Sequence, residues 1–329
     1  MTENRYINAI EILALAYLLT IIVLLFYWDS EPDLFDVEEL SSTRTIFGEN
    51  DIVGVATTST LIKTVNTMLN KRGGYLTNDI SLPGIVMDNI PNWEFGVITQ
   101  VRDLIRAFRN DFSRSQTQST ENQNLVIADP QFHFDTDSWI LPKTESEYRK
   151  GVKMLEEYLV RLQGARESNI QFFARADNLR DWLAIVEKRL GSLSQRLSAS
   201  VGQKRINTDL QGDTAATQST EKPNLISVKT PWLEIDDEFY EARGSAWALI
   251  HFLRAVEIDF KQVLVKKNAL VSLRQIIREL EATQGMVWSP MILNGTGLGL
   301  VANHSLVMAS YISRANAAII DLRNLLERG

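Results

Sequence analysis

From Ile12 to Trp28 the chain reads ILALAYLLTIIVLLFYW, seventeen residues with no charge and one hydroxyl, Thr20. With Ile7 to Glu11 added, a helix here reaches about 33 Å at 1.5 Å per residue, enough for a hydrocarbon core of roughly 30 Å. Tyr27 and Trp28 fall where an interfacial aromatic belt belongs, and Glu11 lies one turn inside the other end, where it can snorkel to the headgroups. A cleaved signal peptide would have a shorter apolar core and a small-x-small site. Here the run ends in Phe26-Tyr27-Trp28 and passes directly to Asp29-Ser30-Glu31-Pro32-Asp33. A buried soluble helix of this length would carry a polar stripe. The expectation is therefore an uncleaved transmembrane anchor over 7–28. Arg5 precedes it and no Lys or Arg follows until Arg44. The positive-inside bias makes 1–6 a cytoplasmic stub and puts the body in the periplasm, with the protein in the inner membrane.

The rest of the chain is ordinary enough to fold. Of its 329 residues 45% are hydrophobic, which buries a core. The net charge of -7 and the lack of a basic stripe argue against nucleic acid as a partner. Cysteine is absent, which removes disulfides, thiol nucleophiles and Cys-based zinc sites together.

Residues 29–56 are acidic and then turn-rich, and read as a tether to a helical body over 57–329. A helix is expected from Thr57 to about Asn70, stopped by Gly73-Gly74. After a charge-poor loop, Asn92 suits an N-cap with Glu94 in the first turn against the helix dipole. Val97, Ile98, Val101, Leu104, Ile105, Phe108 and Phe112 then form a core-facing stripe, leaving Arg102, Arg106 and Arg109 as solvated charge. Polar stretches near 114–124 and 201–229 read as mobile linkers. A helical pattern runs from Thr144 to about Ser200, with Thr144-x-x-Glu147 as a capping box and a kink or stutter expected between Gly164 and Ile170. Phe172, Ala176, Leu179, Leu183, Val186, Leu190, Leu193 and Leu197 alternate spacings of four and three, a heptad seam. Further helices are expected over about Asp236–Lys266, Leu270–Thr283 and from Asn303 to the end. The one weak strand signal is Leu125-Val126-Ile127.

Chemistry-bearing residues are few. His133, Asp135 and Asp137 alternate like metal ligands, but no second cluster completes a set, and a turn before Trp139 explains them better. Gly295-Thr296-Gly297-Leu298-Gly299 lacks the Lys-Ser/Thr of a phosphate loop and reads as a turn. No cofactor is expected. From Ala282 to Ser313 thirty-two residues carry no Asp, Glu, Lys or Arg. Pro290 and four glycines break this run, so it is expected as a hairpin packed under other loops, or else as an exposed patch marking contact with protein or lipid. Together with the loop from Tyr75 to Pro91 it supplies the candidate interaction residues: Tyr75, Asp79, Asp88, Asn89, Trp93, Trp288 and Pro290. The two loops are expected to meet at one end of the bundle, with Trp93 and Trp288 close to the contact.

At Gly73-Gly74-Tyr75-Leu76-Thr77-Asn78-Asp79, at Asp88-Asn89-Ile90-Pro91-Asn92-Trp93-Glu94-Phe95-Gly96 and at Val101-Arg102-Asp103, the chain resembles a family of bacterial inner-membrane proteins catalogued as domain of unknown function twenty-three thirty-three. The resemblance covers most of the chain. It implies an envelope protein and supplies no catalytic residues. The fold expected is all-α: an N-terminal transmembrane helix plus an elongated helical bundle with long coiled-coil-like helices. The function expected is a scaffold or adaptor rather than an enzyme. It would touch the lipid bilayer through the N-terminal helix and bind an envelope protein partner or a second copy through helical faces and charge-poor loops. A lipid or apolar-ligand binding protein is the alternative. A metal-dependent hydrolase built on His133, Asp135 and Asp137 comes third.

Overall fold

A computed structural model describes residues 2–44, 52–115, 120–164, 170–206, 225–289, 291–296 and 299–328. The fold is all-α. The N-terminal helix α1 (Thr2–Trp28) contains one stretch, Ile10–Trp28, long and apolar enough to cross a membrane, and 0% of it is buried against the rest of the chain. The body consists of α2 (Val37–Arg44), α3 (Val55–Asn70), α4 (Asn89–Ala107), α5 (Gln123–Phe132), α6 (Thr144–Gln163), α7 (Ala176–Ser198), α8 (Ile235–Asp259), α9 (Lys261–Lys266), α10 (Leu270–Ala282) and α11 (His304–Glu327). Helix α8 is central and packs on α3, α4 and α10. Its sequence explains the position: from Ala242 to Phe252 every residue is buried, so it has no solvent face to lose. Helices α7 and α11 pack along each other and close one side, while α5 and α6 close another.

The α4–α8 crossing depends on two glycines. A Cβ on Gly244 would lie 2.0 Å from the Trp93 carbonyl oxygen, and one on Gly96 would lie 2.2 Å from that of Glu241. Only hydrogen fits at either position. The approach brings Trp93 and Trp247, both fully buried, to a ring separation of 5.1 Å.

The bundle has two unlike ends. At one end the Asp259 carboxylate accepts from the N–H groups of Gly54 and Thr57 and from the Thr57 hydroxyl at 2.5–2.8 Å, capping α3 from α8. Phe112, Phe172 and Phe260 pack there as an aromatic cluster. The other end carries the connections 71–88 and 133–143, the segments 199–206 and 225–234, and the described residues between Thr283 and Asn303. There α1 joins the body.

Several expectations change. The stretch from Thr144 to Ser200 is two helices rather than one kinked helix, and Phe172 precedes α7 in extended chain, where it serves the aromatic cluster. The heptad seam itself lies on α7, with Leu183, Leu190 and Leu193 buried against α11 of the same chain. Asp88 caps α4 instead of Asn92, because its carboxylate reaches the Asn89 N–H. Thr144 forms no capping box: its hydroxyl turns back to the carbonyls of Asp135 and Ser138. Leu125-Val126-Ile127 lies in α5, started by the Asn122 side chain. The strands are instead β1 (Gln203–Ile206) and β2 (Leu225–Val228), antiparallel, inside the stretch read as a linker. Residues 116–119 and 207–224 of the two expected linkers lie outside the described residues. Arg102 and Arg109 are engaged rather than solvated, while Arg106 stays exposed as expected. Arg102 donates to the carbonyls of Phe132 and Phe134, Arg109 pairs with Glu121 and Asp129, and Arg106 meets His133.

Candidate interaction site at the α1 end

The stretch read as a tether is strapped to the bundle from its first residue. Trp28 sits over Gly73, whose Cβ would lie 2.8 Å from the indole, and Arg72 stacks on the Tyr27 ring at 5.1 Å. Asn89 donates to the Asp29 carboxylate at 3.3 Å. Glu31 forms a forked pair with Arg243, whose guanidinium also donates to the carbonyls of Thr283 and Gly285. Phe35 stacks on His251 with ring centroids 3.8 Å apart, and its N–H donates to His251 Nε2 at 3.1 Å. That imidazole is therefore an acceptor at Nε2, and burial pushes its pKa down to about 3. Val37, 2% exposed, completes the strap at the head of α2.

The loop after α3 is organised by a buried ion pair. Lys71 Nζ lies 2.6 Å from Glu94 Oε1, with 1% and 0% of the two side chains accessible. The Glu94 carboxylate also accepts from the N–H groups of Leu76 and Thr77 and from the Thr77 hydroxyl, and Lys71 donates to the Gly74 carbonyl. Burial pushes Glu94 up, and Lys71 with these donors pulls it back. A loop poor in charge thus meets its backbone demands from one pair, Lys71 at its own start and Glu94 on α4.

From this loop Tyr75 donates to the Thr136 carbonyl at 2.9 Å, and Asn78 to the Ser138 carbonyl and Glu145. That ties residues 71–88 to 133–143. Asp79 accepts from the Ser81 N–H and hydroxyl and fixes the next turn. Asn294 donates to the Ser200 carbonyl, tying 283–303 to the segment after α7.

The candidate residues therefore separate. Asp88 is exposed at the head of α4, Asp79 and Asn89 are half-buried, and Tyr75 is buried beneath the loop. Trp93 is wholly buried and takes no part in a surface. Trp288 is 89% exposed, on the wall of an open groove of about 560 Å³ with Phe239, Met286, Val287, Met308 and Tyr311. Pro290 lies outside the described residues. The uncharged segment forms a hairpin, with Asn294 bridged to Asn303, but it is exposed rather than packed under other loops. The two loops are joined through the strap, by Asp29 on one side and Glu31 with Arg243 on the other. Sequence reasoning missed Lys71, Arg243 and the strap; Phe35 and Val37, two apolar side chains in an acidic run, were the available signal. At His133 both ring nitrogens are taken, Nε2 by Arg106 and Nδ1 by Asp129. Among the described residues no group of three or more His, Asp or Glu side chains is placed to hold a metal.

Fold and site together define a helical-bundle body strapped to a single apolar N-terminal helix, with its long loops gathered where that helix ends. The sequence pattern of DUF2333, described as an uncharacterized protein conserved in bacteria, matches residues 1–329, and the chain belongs to that family. No curated protein and no solved structure matches the chain.

Proposed function

We propose that this protein is a scaffold or adaptor of the bacterial cell envelope, anchored in the inner membrane by α1, with its body in the periplasm. It would bind partner proteins through the outer faces of its helices and act without catalysis. The observation that carries this reading is the strap: residues 27–37 lock the end of α1 to the turn after α3, to α4 and to α8 through side-chain contacts. A cleaved leader has no use for contacts with the mature body, whereas a support that holds a bundle at fixed height over the bilayer needs them. Crosslinking in native membranes followed by mass spectrometry tests the adaptor role. Recurrent capture of the same envelope protein supports it, and recovery of uncrosslinked monomer alone counts against it. A reporter fused after Gly329 tests topology: activity confined to the cytoplasm overturns the orientation. A mature N-terminus near Asp29 removes the anchor.

A second reading, binding of a lipid or other apolar ligand, is favoured by the groove beside Trp288. Native mass spectrometry of the full chain would then show a co-purifying lipid that is lost on Met308→Glu.

A further inference from the structure

Every exposed tryptophan among the described residues of the body, Trp139, Trp232 and Trp288, lies in the loops at the α1 end. So do the body's most exposed leucines: Leu141 is 90% exposed, Leu233 77% and Leu300 108%. These side chains come from three separate connections, and the hydrogen bonds of Tyr75, Asn78, Arg243 and Asn294 hold the connections to one end of the bundle. At that same end Tyr27 and Trp28 close the apolar span. Their aromatic rings mark the level of a bilayer surface if α1 crosses it.

We propose that this end of the body is seated in the headgroup layer of the bilayer that α1 spans, with Trp139, Trp232 and Trp288 as interfacial anchors; the inference rests on the anchor reading. Two observations select lipid over a protein as the occupant. First, there is no slack. Trp28 packs on Gly73 and the next residue, Asp29, already bonds Asn89, so the body begins where the span ends and leaves no room for a folded partner. Second, the chemistry is that of an interface, with aromatic and aliphatic tips on loops of which one, from Thr283 to Asn303, carries no charge. The acidic Asp29, Asp88, Asp236 and Asp237 stand close by and offset the exposed Arg72, Lys143 and Lys229 of the same connections, so this end has no basic excess. The attraction is therefore apolar rather than electrostatic, and it persists in uncharged lipid and at high salt.

The chain contains no cysteine, so single-cysteine labels report without background. Leu141→Cys, Leu233→Cys and Leu300→Cys keep all three tryptophans. Val160→Cys, 65% exposed on α6, and Leu18→Cys within α1 serve as references. Each full-length variant is labelled with bimane and reconstituted into phosphatidylcholine nanodiscs. Quenching by doxyl-labelled lipid is compared with quenching by iodide in water. The loop labels should show a lipid-to-water quenching ratio several-fold above that at residue 160, unchanged by added sodium chloride. If they match residue 160 while the residue 18 label is still quenched by lipid, the anchor stands and this inference fails. A residue 18 label open to iodide would instead overturn the anchor reading. Loop labels protected from both quenchers would indicate a protein contact such as a second copy, which also overturns it.

Discussion

The α4–α8 crossing gives the most direct test of the fold, because Gly244→Ala adds one methyl where there is no space for it. The new Cβ would stand 2.0 Å from the Trp93 carbonyl oxygen, 2.8 Å from its carbon and 3.0 Å from its Cα. All three are backbone atoms of a buried helix, so no rotamer change can relieve the clash. Non-bonded heavy atoms settle at roughly 3.5–4.0 Å, which means the helices must part by more than about 1 Å. Parting them unseats Trp93 from Trp247 in the core. Overpacking of this kind costs about 1–3 kcal/mol, and a rigid backbone neighbour places this case at the top of the range or above. Replacing helical Gly by Ala returns about 1 kcal/mol of propensity. The net expectation is a loss of about 2 kcal/mol, lowering Tm by about 4–8 °C. Gly191→Ala on α7 is the internal control. Its Cβ would meet only the Asn316 amide at 3.6 Å, an ordinary contact, so propensity alone should leave stability equal or higher. The assay is thermal unfolding of the full chain in nanodiscs, followed by circular dichroism at 222 nm. A Gly244→Ala protein melting at or above the native temperature would refute the close crossing.

Lys71→Met leaves Glu94 buried without its cation and should cost about 3–5 kcal/mol; adding Glu94→Gln, which keeps an acceptor for the Leu76 and Thr77 N–H groups, should recover part of the loss in the same melt. Leu190→Ala should cost about 2–5 kcal/mol, because the side chain is fully buried in the α7–α11 seam and the methyl groups leave a cavity; an unchanged Tm would remove the seam. Burial pushes the Asp259 carboxyl from 3.8 up to about 6, against the pull of its bonds to Thr57 and Gly54. A folded pKa above the unfolded one contributes stability that is full below the unfolded value and is lost as pH rises through the folded value. Between pH 4 and pH 7, therefore, the native chain should lose Tm relative to Asp259→Asn, and parallel profiles would contradict the assignment.

What the sequence disclosed and what it hid divide along one physical line. Periodicity records which side of an element is apolar, so the α4 stripe and the α7 seam were legible from spacing, and the hairpin from its missing charge and its Gly and Pro breaks. It does not record a partner distant in the chain. Glu94 looked like a dipole complement because nothing in its own helix announces Lys71. Arg102 looked solvated because the carbonyls it serves are about thirty residues away and carry no side-chain signature. The strap was hidden by composition. Glu31 and Asp36 make the stretch read as solvated, yet Glu31 faces Arg243 and Asp36 caps α2, while Phe35 and Val37 enter the body. The β1–β2 pair was missed because four-residue strands flanked by polar sequence show too few alternations to register.

The stretch from Asp88 to Gly96 shows how the loop, the crossing and the strap depend on one another. Asp88 starts α4, and Asn89 carries the end of α1 through Asp29. Asn92 donates to Asp237 at the head of α8. The Trp93 carbonyl lies against Gly244, and the Glu94 carboxylate holds the loop after α3. Gly96 admits the backbone of α8. Successive positions thus face three different neighbours, which a helix achieves because each residue turns about 100° from the last. The first two turns of α4 therefore fix the apolar helix, the central helix and the loop against one another. Lifting this end of α4 would have to break the ion pair, the Trp93–Trp247 contact and the α1 strap together. The attitude of the body on α1 is set by the same contacts that hold the core.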